Sequence, residues 1–182
     1  QAIDVAVRRD AYLLDGQQGL MRWLEGAGRL NRALEFLPTD AEIARRRARQ
    51  GGLTAPENAV LMAYAKMSVF DELMASDLPD DPYFGRSLQA YFPPVLSSRF
   101  PAAVAAHPLR REIIATHITN TVVNRTGATF VNFLAAEAAG TAADVVRAFT
   151  LAREVFDLEA LRDRIDALDG QVSAPLLLDL LG

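Results

Sequence analysis

Apolar residues recur along this chain at steps of three and four, and Gly, Pro, Asp and Thr mark the interruptions. That spacing places them on one face of a helix, because neighbours three and four apart stack on the same side. No sustained alternation of period two appears, and Ala, Leu, Arg and Glu dominate, residues that lose little on entering a helix. The pattern predicts an all-α fold. Short connections favour antiparallel neighbours, so the expected architecture is an irregular multi-helix bundle.

The pattern runs from Ile3 to Leu14 and again from Leu20 to Leu34, with Gly16 and Gly19 between them, giving two helices or one imperfect long one. Pro38 restricts the residue before it, and Asp40 is expected to cap a short charged helix from Ala41 to Gln50 that ends at Gly51-Gly52. Thr54, Pro56 and Glu57 then form the clearest start signal, a capping box opening a helix to about Ala75. Its Val60, Leu61, Tyr64, Met67 and Phe70 are expected on the core face. Asp81 should cap the next helix, opened by Pro82, while Pro93-Pro94 and Pro101 cut the path into short helices.

His107-Pro108 begins a long helix that lasts to Thr126, before Gly127. Ile114, Ile118 and Val122 share one side of it, with Leu109, Ile113 and Val123 nearly opposite, which predicts a central helix. His117, Asn120 and Asn124 form a third strip. Buried there they would need partners, so the strip reads as a hydrogen-bonding feature anchoring the Ala128-Thr129 loop, with a small-molecule effector pocket as the alternative. A helix from Thr129 to Gly140 follows, then one capped by Thr141 with Asp144 and ending near Phe156. Asp157 is expected to cap a helix to Asp169-Gly170, and Ser173 with Pro175 to start a last one.

With 182 residues, 51% of them hydrophobic and 23% charged, the chain is globular material long enough for one domain with a substantial core. The net charge of −4 gives no general attraction to nucleic acid or anionic membrane. No cysteine is present, which removes disulfides, thiolate metal sites and a cysteine nucleophile. No apolar run approaches the ~20 residues that span a bilayer, so a soluble, cytoplasmic protein is expected. Both ends read as cuts through helical pattern.

Reactive chemistry is sparse. His107 and His117 are too few to build a metal site, and His107 before a proline reads as a helix-start residue. Asp77, Asp80 and Asp81 lack the spacing, glycine and terminal glutamate of a calcium loop, so caps and loop polarity explain them. Gly26-Ala27-Gly28 follows a helical pattern and lacks the third glycine of a dinucleotide fingerprint. Arg45-Arg46-Arg47 with Arg49 is the one basic run. It reads as a solvated face near a helix C-terminus, with a helical nucleic-acid-binding module as the alternative.

A series of short words carries more information: Leu53-Thr54-Ala55-Pro56-Glu57, Ala63-Tyr64-Ala65-Lys66, Ser76-Asp77-Leu78-Pro79-Asp80-Asp81-Pro82-Tyr83 and Tyr91-Phe92-Pro93-Pro94. Leu109-Arg110-Arg111-Glu112-Ile113-Ile114-Ala115-Thr116 and Ala152-Arg153-Glu154-Val155-Phe156-Asp157-Leu158 follow in order. Together they resemble the C-terminal helical region of the large bacterial NAD-specific glutamate dehydrogenases. The likeness thins toward Val7-Arg8-Arg9-Asp10-Ala11-Tyr12, where Ala11 stands at a position commonly Asn, and toward Ala167-Leu168-Asp169-Gly170.

The resemblance implies a parent enzyme that oxidatively deaminates L-glutamate to 2-oxoglutarate with NAD. It implies three parts here: residues 1–52 following the catalytic domain, 53–170 as the helical bundle, and 171–182 as the start of a truncated helix. The family's catalytic lysine, aspartate and cofactor glycines map to no position, so no catalytic, cofactor-binding or metal residue is expected and the piece should be inactive alone. Lys66, mid-helix between Ala65 and Met67, reads as a surface or snorkelling residue. The implied role is scaffolding, assembly or regulation, with the catalytic domain of the same polypeptide as partner and a homo-oligomeric parent. No nucleic acid or membrane partner is expected.

Overall fold

A computed structural model describes residues 10–181, which contain eleven α-helices, two short 3-10 turns and no strand. The expected helix from Ile3 lies outside the described residues up to Asp10. From there α1 (Asp10–Gly26) continues through Gly16 and Gly19 as one helix. Burial of Leu14, Leu20, Met21 and Leu24 outweighs the ~1 kcal/mol that each interior glycine costs. The helix stops at Gly26 instead of reaching Leu34. Gly28 turns left-handed at φ +68°, and the amides of Arg29 and Leu30 both donate to the Leu24 carbonyl at 2.9 and 3.3 Å.

The cap of α2 (Asp40–Ala48) is Thr39, not Asp40; its hydroxyl accepts from the Glu42 amide at 3.3 Å. Asp40 falls inside the first turn, and its carboxylate instead receives Gln18 at 2.9 Å, Arg22 at 3.1 Å and Arg32 at 2.8 Å. These bonds hold Asp40 well below the usual carboxylate range, Gln18 first. The acid therefore ties α2 to α1 and to the turn between them.

α3 (Ala55–Met74) opens with the expected capping box: the Thr54 amide donates to Glu57 at 2.7 Å, and the Glu57 amide to the Thr54 hydroxyl at 3.4 Å. Its core face differs from expectation. Leu61, Met62, Ala65, Val69 and Leu73 are buried, while Met67 is 50% exposed. At about 100° per residue Met67 lies opposite that stripe. α3 serves two cores at once. Leu61 and Ala65 close a cluster with Leu14, Met21, Leu24, Ile43 and Leu53, drawn from both sides of residue 52. Met62, Val69 and Leu73 join the larger cluster.

Two 3-10 turns, Leu78–Asp80 and Pro82–Phe84, lead into α4 (Gly85–Tyr91), α5 (Pro94–Arg99) and α6 (Pro101–Ala105). Asp81 caps the second turn, accepting from the Tyr83 amide at 2.9 Å. α7 (Arg110–Thr126) packs most extensively on α3 and α4. Ile114, Ala115, Ile118, Thr119, Val122 and Val123 form one wide buried stripe, while Leu109 precedes the helix and is exposed. Arg111 donates to the Met74 and Ser76 carbonyls at 2.9 and 3.1 Å, satisfying the end of α3. Gly127 at φ +86° ends α7.

α8 (Phe130–Glu137) leads to α9 (Ala142–Val155), whose capping box joins Thr141 and Asp144. Asp157 heads α10 (Leu158–Asp166) but supplies no side-chain cap, because its left-handed backbone, φ 47°, differs from the extended conformation that aims a cap at the helix amides. α10 ends three residues before the expected Asp169, and turn follows it. α11 (Ala174–Leu181) closes the described chain.

Candidate functional site

A cleft of about 550 Å³ lies between the 82–84 turn, α4, α7 and α9. Phe84, Ile118, Val122 and Phe149 give it an apolar floor; His117, Thr121 and Thr150 add polar atoms to its walls. Charges gather at its mouth. Arg86 donates to Glu154 at 2.5 Å and lies 3.9 Å from the centre of the Tyr83 ring. Glu159 receives both Arg153 and, at 2.6 Å, Arg125.

These contacts fix ionisation. The Tyr83 hydroxyl and Arg86 hold the Glu154 carboxyl below its ordinary range, while burial and that same bond push the Tyr83 phenol up. Burial would raise Glu159, but the Arg153 bond and the charges of Arg153 and Arg125 prevail and lower it. Arg153 keeps a buried Nε with no acceptor. The site is an ionised rim over an apolar floor.

The sequence-derived strip divides here. His117 lines the cleft; Asn120 is half-buried elsewhere, and Asn124 is exposed. The buried polar side chain of α7 is Thr119 instead. His107 accepts from the Leu109 amide at 3.1 Å and packs on Phe92, as a helix-start residue does. Asp77, Asp80 and Asp81 do not converge: Asp77 meets Arg147, Asp80 meets Arg111, and Asp81 caps its turn. Among the described residues no group of three potential ligands could hold a metal ion.

Arg45, Arg46 and Arg47 of the arginine run are engaged by acids. Arg45 and Arg46 meet Glu42, Arg46 also meets Glu57 at 2.6 Å, and Arg47 reaches Asp15. Lys66 is half-buried on α3. Gly26-Ala27-Gly28 closes α1 and does not open a helix after a strand, so these residues do not fit an NAD pyrophosphate. A second cavity, about 630 Å³, lies between α1 and α8 with Leu20, Trp23, Val131 and Phe133 on its walls. The buried Asn132 carbonyl oxygen there has no partner.

Tyr83, Arg86, Arg153 and Glu159 were not singled out from the sequence as site residues. Arg86 and Glu154 stand 68 positions apart, and no spacing rule connects them. The only local signal is the adjacent Arg153-Glu154 pair beside an amphipathic stretch.

The described residues form an all-α domain with capping boxes at Thr54 and Thr141. The profile described as "Glutamate dehydrogenase, C-terminal" matches residues 50–182, and the chain belongs to that family. The NAD-specific glutamate dehydrogenase of Pseudomonas aeruginosa is 40% identical over 181 residues, which is 100% of this chain and 11% of that protein. The enzyme of the same name from Halomonas elongata is 38% identical, covering 100% of this chain and 12% of its own length. That of Mycobacterium tuberculosis is 37% identical over 86% of this chain and 10% of its own length. The chain thus spans about a tenth of these relatives. No helix among the described residues is long and apolar enough to cross a membrane.

Proposed function

We propose that this chain is a non-catalytic helical part of a cytoplasmic, homo-oligomeric NAD-dependent glutamate dehydrogenase that oxidises L-glutamate to 2-oxoglutarate. It packs against the catalytic part of the same polypeptide and supports assembly. In this reading residues 1–52 link the catalytic part to the bundle of residues 53–170, and 171–182 begin a further helix. NAD and the reacting groups belong to the catalytic part, and the isolated piece turns over no glutamate.

The observation that carries this reading is the match of the whole chain to a small fraction of relatives named NAD-specific glutamate dehydrogenase. Physical support comes from apolar side chains that the fold leaves uncovered, including Leu151, Val155, Phe156 and Leu161. Such a patch on one module suits contact with a neighbour. The test is deletion of residues 53–182 from the full-length enzyme, followed by light scattering and an assay of glutamate-dependent NADH formation. Loss of the native oligomer or of activity is expected; an enzyme unchanged in both would overturn the reading.

A further inference from the structure

The cleft between α4, α7 and α9 carries charges that no structural task fully uses. We propose that it binds a zwitterion of amino-acid size, its carboxylate on Arg153, its ammonium on Asp157, and its side chain on the Phe149 and Ile118 floor. This goes beyond the scaffolding role and does not rest on it.

Size and floor come first. About 550 Å³ lies within the range of small-molecule sites, which combine apolar walls with a few placed polar groups. The walls come from α7, α9 and the 82–84 turn, elements that share the larger core, so the shape is held before any ligand arrives.

Charge selects the ligand class. Arg153 shares Glu159 with Arg125, so it can turn to an incoming carboxylate while Arg125, at 2.6 Å, keeps Glu159 paired. Its buried Nε already lacks an acceptor. Asp157, four residues on and just past the end of α9, lines the same cleft, makes no side-chain cap bond and forms no ion pair among the described residues. One cation that can exchange partners and one uncommitted carboxylate therefore line a single cleft, a pairing that suits the two head groups of an amino acid. Thr150 donates its hydroxyl hydrogen to the Val146 carbonyl at 2.7 Å, which leaves its oxygen to accept from an ammonium.

Other ligand classes fit less well. The lining holds Arg86 and Arg153 against Glu154, Asp157 and Glu159, two positive groups and three negative ones, which repels phosphates and nucleotides. A lone carboxylate gains nothing from Asp157. A lone amine gains nothing from Arg153.

The experiment titrates the 182-residue chain with L-phenylalanine, 3-phenylpropionate and 2-phenylethylamine, following amide chemical shifts and heat. L-phenylalanine should bind, shifting amides of α7 and α9, and each half-molecule should bind at least about tenfold more weakly. Asp157→Asn keeps a residue that tolerates the left-handed backbone. It should weaken L-phenylalanine and leave 3-phenylpropionate unchanged. Arg153→Gln should weaken both acids and leave the amine unchanged, with melting curves confirming the fold of each variant. No L-phenylalanine binding up to about 10 mM, equal binding of either half, or an indifferent Asp157→Asn would overturn the proposal.

Discussion

α9 is two different surfaces laid end to end. Its first turns bury Ala142, Ala143, Val145 and Val146, whereas Leu151, Val155 and Phe156 at the other end are 59%, 73% and 73% exposed. α10 continues the second habit: Leu158 and Leu161 lie on an amphipathic helix with no buried residue. α3 shows the opposite, with buried residues from Asn58 to Leu73 and two clusters sharing it. Both regions carry apolar side chains, although α10 (LEALRDRID) is far more charged than α3. The body of α3, α7 and early α9 buries its apolar residues and holds the fold, while the α9–α10 end leaves Leu151, Val155, Phe156 and Leu161 uncovered among the described residues.

The sharpest way to break that comparison is a pair of truncations. Leu73 is fully buried, so Leu73→Ala should cost about 2–5 kcal/mol in urea denaturation. Leu161→Ala, on the half-exposed face of α10, should stay within about 0.5 kcal/mol. Equal losses would mean that α10 is packed as tightly as α3, and the division would fall.

Much of this division was hidden in the sequence, and the reason is physical. Caps were legible because they are local: Thr54 with Glu57 and Thr141 with Asp144 stand where the capping-box spacing put them. The all-α class was legible from periodicity alone. Which apolar face meets a neighbour is not a local property, so Met67 was expected in the core and is exposed, while Met62 is buried. The Asp40 reading failed by one residue, since Thr39 and Asp40 are both good caps and tertiary bonds from Arg22 and Arg32 decide between them. The cleft was partly legible through His117; its charged rim comes from residues tens of positions apart.

Polar burial gives the next effect. Gln17 donates to the Asn58 side chain at 2.8 Å, and Asn58 donates to the Leu53 carbonyl at 3.1 Å, joining α1, α3 and the segment before α3 inside the smaller cluster. Asn58→Ala strands both partners and should cost about 1–3 kcal/mol. A loss below about 0.5 kcal/mol would show that water replaces the amide and that this interface is looser than its burial implies.

Caps should separate the regions more finely. Thr54→Ala and Thr141→Ala should each cost about 1 kcal/mol in thermal or urea melts, because each hydroxyl and its acid satisfy amides of a core helix. Asp157→Asn should leave the melting temperature unchanged, since Asp157 makes no cap bond. A cost at Asp157 equal to that at Thr54 would place α10 with the body.

Acid should follow the same boundary. Burial tends to raise Glu57, but the Arg46 bond and the Thr54 amide outweigh it and hold its carboxyl below the ordinary 4.5. A carboxylate with a depressed folded value contributes stability that is full above the unfolded value and fades as pH falls through the folded one. Global stability should therefore decline below about pH 4.5, and Glu57→Gln should flatten that decline while lowering stability at neutral pH. Glu159 is also lowered, by Arg153 and Arg125 against its burial. If its ion pairs hold only α10, Glu159→Gln should change the pH dependence of amide exchange in α10 and leave global unfolding as it was. A shared effect on global unfolding would join the arm to the body.

The smallest effect in the isolated chain should come from Phe156→Ser, and it carries the most information about the parent. Phe156 is 73% exposed, so its ring contributes little burial to lose and the melting temperature should stay within error. In the full-length enzyme the same substitution should lower the fraction of native oligomer or the activity measured at low protein concentration, because the ring would there lie under a neighbouring surface. A full-length enzyme indifferent to Phe156→Ser and to Val155→Ser would mean that the α9–α10 end faces solvent in the assembly, and the contact with the catalytic part would have to be sought on another face.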